Sequence, residues 1–188
     1  MTAVWIVLGV LAVLVIAVVV SYNRFVSQRN IIRSSWANID TELQRRYDLI
    51  PNLVETVKGY AAHERETLEA VVRARATAQA TDGSPAEQAA AEGPLVGALR
   101  QLFAVSEAYP ALRANENFLQ LQHELAVTED RLQAARRFYN ANVQELNRRV
   151  ESFPSNLIAR QWDFTQEQYF EIEAAVRDDV ARPPRIEF

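Results

Sequence analysis

Two hydrophobic rhythms divide this chain. Residues 3–20 are apolar without a break, from Ala3, Val4 and Trp5 to Val18, Val19 and Val20, with no charge and no proline among them. Beyond Val20 the apolar residues recur at alternating steps of three and four, the spacing of a helix that buries one face. The unbroken run predicts a membrane-spanning helix through residues 3–20, because at about 1.5 Å per residue it reaches about 27 Å, close to the hydrocarbon thickness of a bilayer. A cleaved signal peptide fits less well, since no Lys or Arg precedes the run and no A-x-A pattern follows it. A buried core helix also fits less well, because the run has no polar face.

The stepped rhythm predicts a bundle. From about 22 to 80, Ile32, Trp36, Ile39, Leu43, Ile50, Leu53, Val57 and Tyr60 share one seam, and Arg46 takes its single polar position beside Tyr47. Pro51 lies inside this segment and removes a backbone donor. Yet Trp36, Leu43, Ile50 and Val57 keep seven-residue spacing across it, which predicts a kinked helix or two collinear helices with Asp48 capping the second. A break follows at Ala80-Thr81-Asp82-Gly83, and Ser84, Pro85 and Glu87 form the signature of a capped helix start. That helix, 85–109, carries Leu95, Leu99, Leu102 and Phe103; Gly93-Pro94 is expected to bend or split it, and Tyr109-Pro110 to end it.

A third segment, 115–152, repeats every seven residues at Phe118, Leu125, Leu132, Tyr139 and Leu146, a line that continues to Phe153. Its companion line, Leu121, Thr128, Ala135, Asn142 and Arg149, turns small and polar toward its end. This favours an intramolecular bundle face over a free two-stranded coiled coil, with Trp36, Leu43, Ile50 and Val57 packing against Phe118, Leu125, Leu132 and Tyr139. Thr165 and Gln168 resemble another capping box, opening a short helix over 166–179 with Tyr169, Phe170, Ile172 and Val176. The reading is all-α: an N-terminal transmembrane anchor, 1–21, and an antiparallel, up-and-down bundle of about four long helices with a docked short C-terminal helix, 22–188.

Charge orients the anchor. No cation precedes the run, whereas Arg24, Arg29 and Arg33 follow it, which predicts an outside amino terminus and a cytoplasmic body. Tyr22 and Arg24 then suit headgroup level. A net charge of −4 does not suggest a nucleic-acid partner. The absence of cysteine excludes disulfides, zinc-thiolate sites, thiol nucleophiles and a thioether lipid anchor on this sequence.

Little chemistry stands out. His63 and His123 are each followed by a glutamate, but a zinc-protease helix needs a second His where Thr67 stands. A di-iron bundle needs Glu where Tyr60 and Gln120 stand. Ser27, Ser34, Ser35, Ser106, Ser152 and Ser155 lack a nucleophile-elbow context. Arg136-Arg137 and Arg148-Arg149 have acidic neighbours that predict ordinary ion pairs. Of Asn115, Asn117, Asn140, Asn142, Asn147 and Asn156, Asn142 is the candidate for fixing helix register, Asn115 and Asn156 are expected as caps, and the rest are expected in solvent. No catalytic, cofactor-binding or metal-binding residue is assigned, and no cofactor is expected.

Residues 45–64, Arg-Arg-Tyr-Asp-Leu-Ile-Pro-Asn-Leu-Val-Glu-Thr-Val-Lys-Gly-Tyr-Ala-Ala-His-Glu, closely resemble the signature stretch of LemA family proteins. Residues 108–122, 134–140, 153–160 and the closing Pro184-Arg-Ile-Glu-Phe188 are similar too, in the family's order. Gly93-Pro94 and Gln161-Trp162-Asp163 depart from the pattern locally. The resemblance implies a bacterial membrane protein with one N-terminal span, a helical bundle and no established catalytic activity. The preferred expectation is a noncatalytic scaffold or assembly factor at the bacterial inner membrane, held in the lipid bilayer and associating with itself or another membrane protein, in part through apolar surface around Trp162 and Phe164. The alternative is a tethered sensor that binds a small ligand or envelope component near Asn142 and Arg149; a metalloenzyme using His63 and His123 ranks third.

Overall fold

The computed structural model describes residues 1–172, and everything described is helix, turn or irregular connection. Six helices follow one another among the described residues: α1 Thr2–Lys58, α2 Arg65–Ala80, α3 Pro85–Ser106, α4 Pro110–Arg113, α5 Glu116–Glu151 and α6 Ser155–Gln161. The all-α helical bundle with a long apolar N-terminal helix is therefore the fold of this chain. The chain falls into two compact units, one built from Met1–Asn38 and Ala135–Gln168, the other from Ile39–Ala134 and the described residues from Tyr169 on.

In the first unit α5 runs antiparallel to α1. The Trp36 and Tyr139 rings lie 5.4 Å apart. Gln28 Nε2 donates to the Asn142 carbonyl (3.1 Å) and to Asn142 Oδ1 (3.2 Å). Past α6 the chain turns at Asp163, whose φ of 54° lies in the left-handed region that Asp enters more readily than most residues. Phe164 then stacks on buried Phe25 at 4.8 Å and meets the edge of Tyr22 at 5.7 Å. Residues 3–20 are exposed along their whole length, and α1 alone among the described helices is long and apolar enough to cross a membrane.

In the second unit the predicted seams point inward. Ile39, Leu43, Ile50, Leu53 and Val57 of α1 are buried, as are Phe118, Leu125 and Leu132 of α5. α2 packs chiefly on α3. The Ser84 capping box is present: Ser84 Oγ accepts from the Glu87 amide (3.3 Å), and Glu87 returns a carboxylate to the Ser84 amide (2.7 Å). These bonds to Ser84 hold the Glu87 carboxyl below the ordinary range.

Of the two alternatives expected at Pro51, a kinked helix or two collinear ones, α1 is a single helix, so Asp48 is an exposed interior residue and caps nothing. Three other local expectations need correction. The break comes instead at residues 59–64, before the expected 80. Gly59 favours helix less than its neighbours, and the turn is held from outside, since Asn115 Nδ2 donates to Tyr60 Oη (3.0 Å) and Tyr109 Oη to Glu64 (3.1 Å). α3 runs as one helix through Gly93-Pro94 and stops at Ser106. Residues 166–172 are not helical. The Glu167 amide donates to Asn147 Oδ1 (2.9 Å), Asn147 Nδ2 donates to the Glu167 carbonyl (3.0 Å), and Tyr139 Oη donates to the Gln168 carbonyl (2.9 Å), so side chains of α5 occupy two carbonyls that a helix would need. The remainder of the expected helix, including Val176, lies outside the described residues.

Candidate functional site

The most concentrated polar chemistry among the described residues begins at the one seam position of α1 that is not apolar. Arg46 is buried, and its guanidinium pairs with Glu92 of α3 through Nη2 and with Glu129 of α5 through Nη1 at 3.1 Å. Its neighbour Tyr47 is buried too and donates its phenol to the other oxygen of Glu92. Gln88, one turn before Glu92, donates to Glu92 Oε1 (3.0 Å), to Tyr47 Oη (3.1 Å) and to the Ala78 carbonyl at the end of α2 (3.2 Å). Three helices, α1, α3 and α5, thus meet on one carboxylate and one guanidinium, and Gln88 ties the end of α2 to them.

Pro51 belongs to the same arrangement. In an unbroken helix the amide of residue 51 would bond the carbonyl of Tyr47, and proline has none to offer. Arg75 of α2 supplies the missing donor, with Nε 2.7 Å from the Tyr47 carbonyl. Kink-promoting chemistry in α1 is thereby converted into a link between α1 and α2, and the helix continues.

Electrostatically the cluster is closed. Both oxygens of Glu92 are engaged, and Glu92 is fully buried, while Glu129 keeps a third of its side chain in solvent. Burial, reinforced by the hydrogen bond to Glu92 and its charge, raises the Tyr47 phenol far above its ordinary value. Tyr47 is therefore a fixed neutral donor at physiological pH. Arg46 Nε has no acceptor among the described residues. Such a cluster clamps helix register, with Glu129 as its partly solvated carboxylate.

Arg46 was visible in the sequence as a charge within the seam, whereas Glu92, Gln88, Arg75 and Glu129 were not singled out. A signal existed for two of them. Extending the Leu102, Leu99, Leu95 line of α3 backward by three and then four residues lands on Glu92 and Gln88, inside the apolar face.

The other candidates are dispersed. His63 is exposed in the connection after α1, and His123 is exposed on α5. Among the described residues no group of three or more His, Cys, Asp or Glu side chains is arranged to hold a metal ion. Ser34, Ser35, Ser106 and Ser155 donate to backbone carbonyls near them in sequence, the usual local habit of serine in helices. Arg148 and Arg149 both pair with Glu145; burial opposes ionisation there, but the two guanidinium groups outweigh it and hold the Glu145 carboxyl below its ordinary value. Asn142 is only partly buried and bonds Gln28 and the Phe138 carbonyl. Asn115 caps α5 through the Phe118 amide (2.9 Å). Asn156 lies inside α6, so it is not the expected cap, and Asn147 is not in solvent but clamps Glu167. Phe164 is buried rather than surface-forming, while Trp162 is 44% exposed.

The signature stretch that first suggested a family supplies Arg46, Tyr47 and Pro51 of this cluster, and the comparisons agree with that suggestion. The family model described as LemA family matches residues 35–188. The chain is 27% identical over 161 residues to Protein LemA of Metamycoplasma hominis, covering 84% of this chain and 72% of that one. It is 25% identical over 187 residues to Magnetosome protein MamQ 2 of Paramagnetospirillum magneticum, covering 86% and 69%. With Magnetosome protein MamQ of Magnetospirillum gryphiswaldense the identity is 23% over the same coverage. With a family match over most of its length and the family's signature at the heart of its buried cluster, the chain belongs to the LemA family.

Proposed function

We propose that this chain is a noncatalytic scaffold or assembly factor anchored in the bacterial inner membrane, acting through association with itself or with another membrane protein. The observation that carries this reading is the contrast within α1: residues 3–20 are apolar and exposed, while the seam from Ile39 to Val57 is buried. The exposed part has the length and composition for lipid, and the buried part is committed to packing. Polar side chains at the candidate site are spent on one another, which favours a mechanical over a chemical role. The relatives named as magnetosome proteins support an assembly role, since that name ties them to a cellular body and not to a reaction. Arg24, Arg29 and Arg33 favour an outside amino terminus and a cytoplasmic body. Confinement to a plane raises the effective concentration of anchored copies, so weak lateral contacts suffice for assembly.

Photo-crosslinking in native membranes tests the reading. Reporters placed at the exposed apolar residues Val72, Leu119 and Phe138 are expected to give adducts containing a second copy or one reproducible membrane protein. A strictly monomeric pattern at every expression level, with no captured protein, overturns it.

A further inference from the structure

The elbow between α5 and α6 carries three large apolar side chains in the open: Phe153 is 79% exposed, Leu157 56% and Trp162 44%. They are not scattered over the surface. Residue 142 of α5 is bonded to residue 28 of α1, and the two helices run antiparallel. Glu151, nine residues further along α5, therefore stands about 13 Å nearer the amino terminus of α1 at 1.5 Å per residue. Counted from that contact and from the Trp36–Tyr139 contact, the level falls at about residues 19–24, at and just beyond the end of the apolar run. The far side of the elbow returns to the same place, since the Trp162 ring lies 5.5 Å from Tyr22, two residues beyond Val20.

We propose that Phe153, Leu157 and Trp162 form a second membrane contact, seated at the boundary between headgroups and acyl chains of the bilayer that holds α1. The inference rests on the anchor reading and adds to it a defined lipid-facing side of the folded unit. Three features select lipid as the occupant. The patch is continuous in level with a span that itself needs lipid. Tryptophan and phenylalanine are side chains that settle at this boundary, with an apolar body and, for Trp162, an indole N–H for the polar side. Arg24, two residues beyond Tyr22, and Arg160, two before Trp162, are exposed and suit phosphate headgroups. Glu151 and Asp163 share the level and are exposed, which limits the depth to the interface. A single span leaves the body free to rotate about the helix axis. A second contact on one side removes that freedom and fixes which face of the unit looks along the membrane.

The chain has three tryptophans, Trp5, Trp36 and Trp162, which makes the test direct. The full chain is placed in vesicles of phosphatidylcholine and phosphatidylglycerol, with or without brominated acyl chains. One variant, Trp5→Phe with Trp36→Phe, reports on Trp162. A second, Trp36→Phe with Trp162→Phe, reports on Trp5. Trp162 fluorescence is expected to be quenched by the brominated lipid and shielded from aqueous iodide. Adding Phe153→Ser and Leu157→Ser is expected to weaken that quenching several-fold while the far-ultraviolet circular dichroism stays unchanged, because both side chains are exposed. If Trp5 is quenched by the brominated lipid and Trp162 only by iodide, the second contact is overturned and the anchor stands. If Trp5 escapes the brominated lipid, the anchor reading fails first. If Trp162 is shielded from both quenchers in a way that grows with protein density, the patch is a protein contact and the inference is wrong.

Discussion

The two compact units solve the same problem, polar groups inside a helical bundle, with different chemistry. In Ile39–Ala134 the solution is ionic: a buried guanidinium paired with a fully buried carboxylate whose other oxygen accepts from a phenol. In the unit formed by Met1–Asn38 and Ala135–Gln168 it is mostly neutral. Asn142 bonds Gln28, Asn147 clamps Glu167, and rings from Tyr22, Phe25 and Phe164 pack together, with Arg29 held over the Phe164 face at 5.3 Å. The difference teaches where tolerance lies. An ion pair taken out of water is costly to break from one side, whereas amide and ring contacts lose their members one at a time.

The largest expected effect is therefore in the ionic unit. Glu92→Ala strands Arg46 and Tyr47 and is expected to lose about 3–5 kcal/mol in denaturant unfolding, while the paired swap Arg46→Met with Glu92→Leu loses clearly less than that single change. If the pair is no better than the single variant, the cluster is not a coupled unit. Next comes the neutral unit, which becomes ionisable at high pH. Burial, then the nearby Glu167 charge, push the Tyr139 phenol up to about 12 from 10.0. Below pH 10 both folded and unfolded phenols are protonated and this contribution is complete. Above it the unfolded chain releases its proton first, so stability falls as pH rises toward 12, by about 2–3 kcal/mol in total. Tyr139→Phe is expected to flatten that part of the alkaline stability profile, and an unchanged slope would count against the assignment. The smallest effect probes the proline link. Arg75→Ala leaves the Tyr47 carbonyl without its donor and is expected to lose about 1–2 kcal/mol. In a Pro51→Ala background, where the helix amide returns, the same change is expected to lose markedly less; equal losses in both backgrounds would break the connection drawn between Pro51 and Arg75.

How much of this was legible beforehand depends on the range of the interaction. Seams of α1 and α5 were readable because side-chain direction follows helical period, and their members are buried as expected, from Ile39 to Val57 and from Phe118 to Leu146. The same seams mislead at their last members. Tyr60 and Phe153 are exposed because each helix ends two residues before them, at Lys58 and Glu151. The candidate site was half visible: Arg46 violated an apolar pattern, while its partners lie 46 and 83 residues away in sequence, on helices whose facing could not be known.

By itself the amino-acid sequence determined the helical class, the apolar stretch at residues 3–20, the capped start at Ser84 and the inward seams, since each depends on neighbours within a few turns. Tertiary structure alone decided that α1 survives Pro51, that it stops at Lys58, and that the stretch after Thr165 stays non-helical as far as residue 172. In each case the deciding bond comes from another element: Arg75 completes the Tyr47 carbonyl, Asn115 and Tyr109 hold the turn after α1, and Asn147 and Tyr139 take the Glu167 and Gln168 carbonyls that a helix would have used. Backbone groups take whichever partner the folded chain brings to them, and local propensity governs only where no better partner arrives.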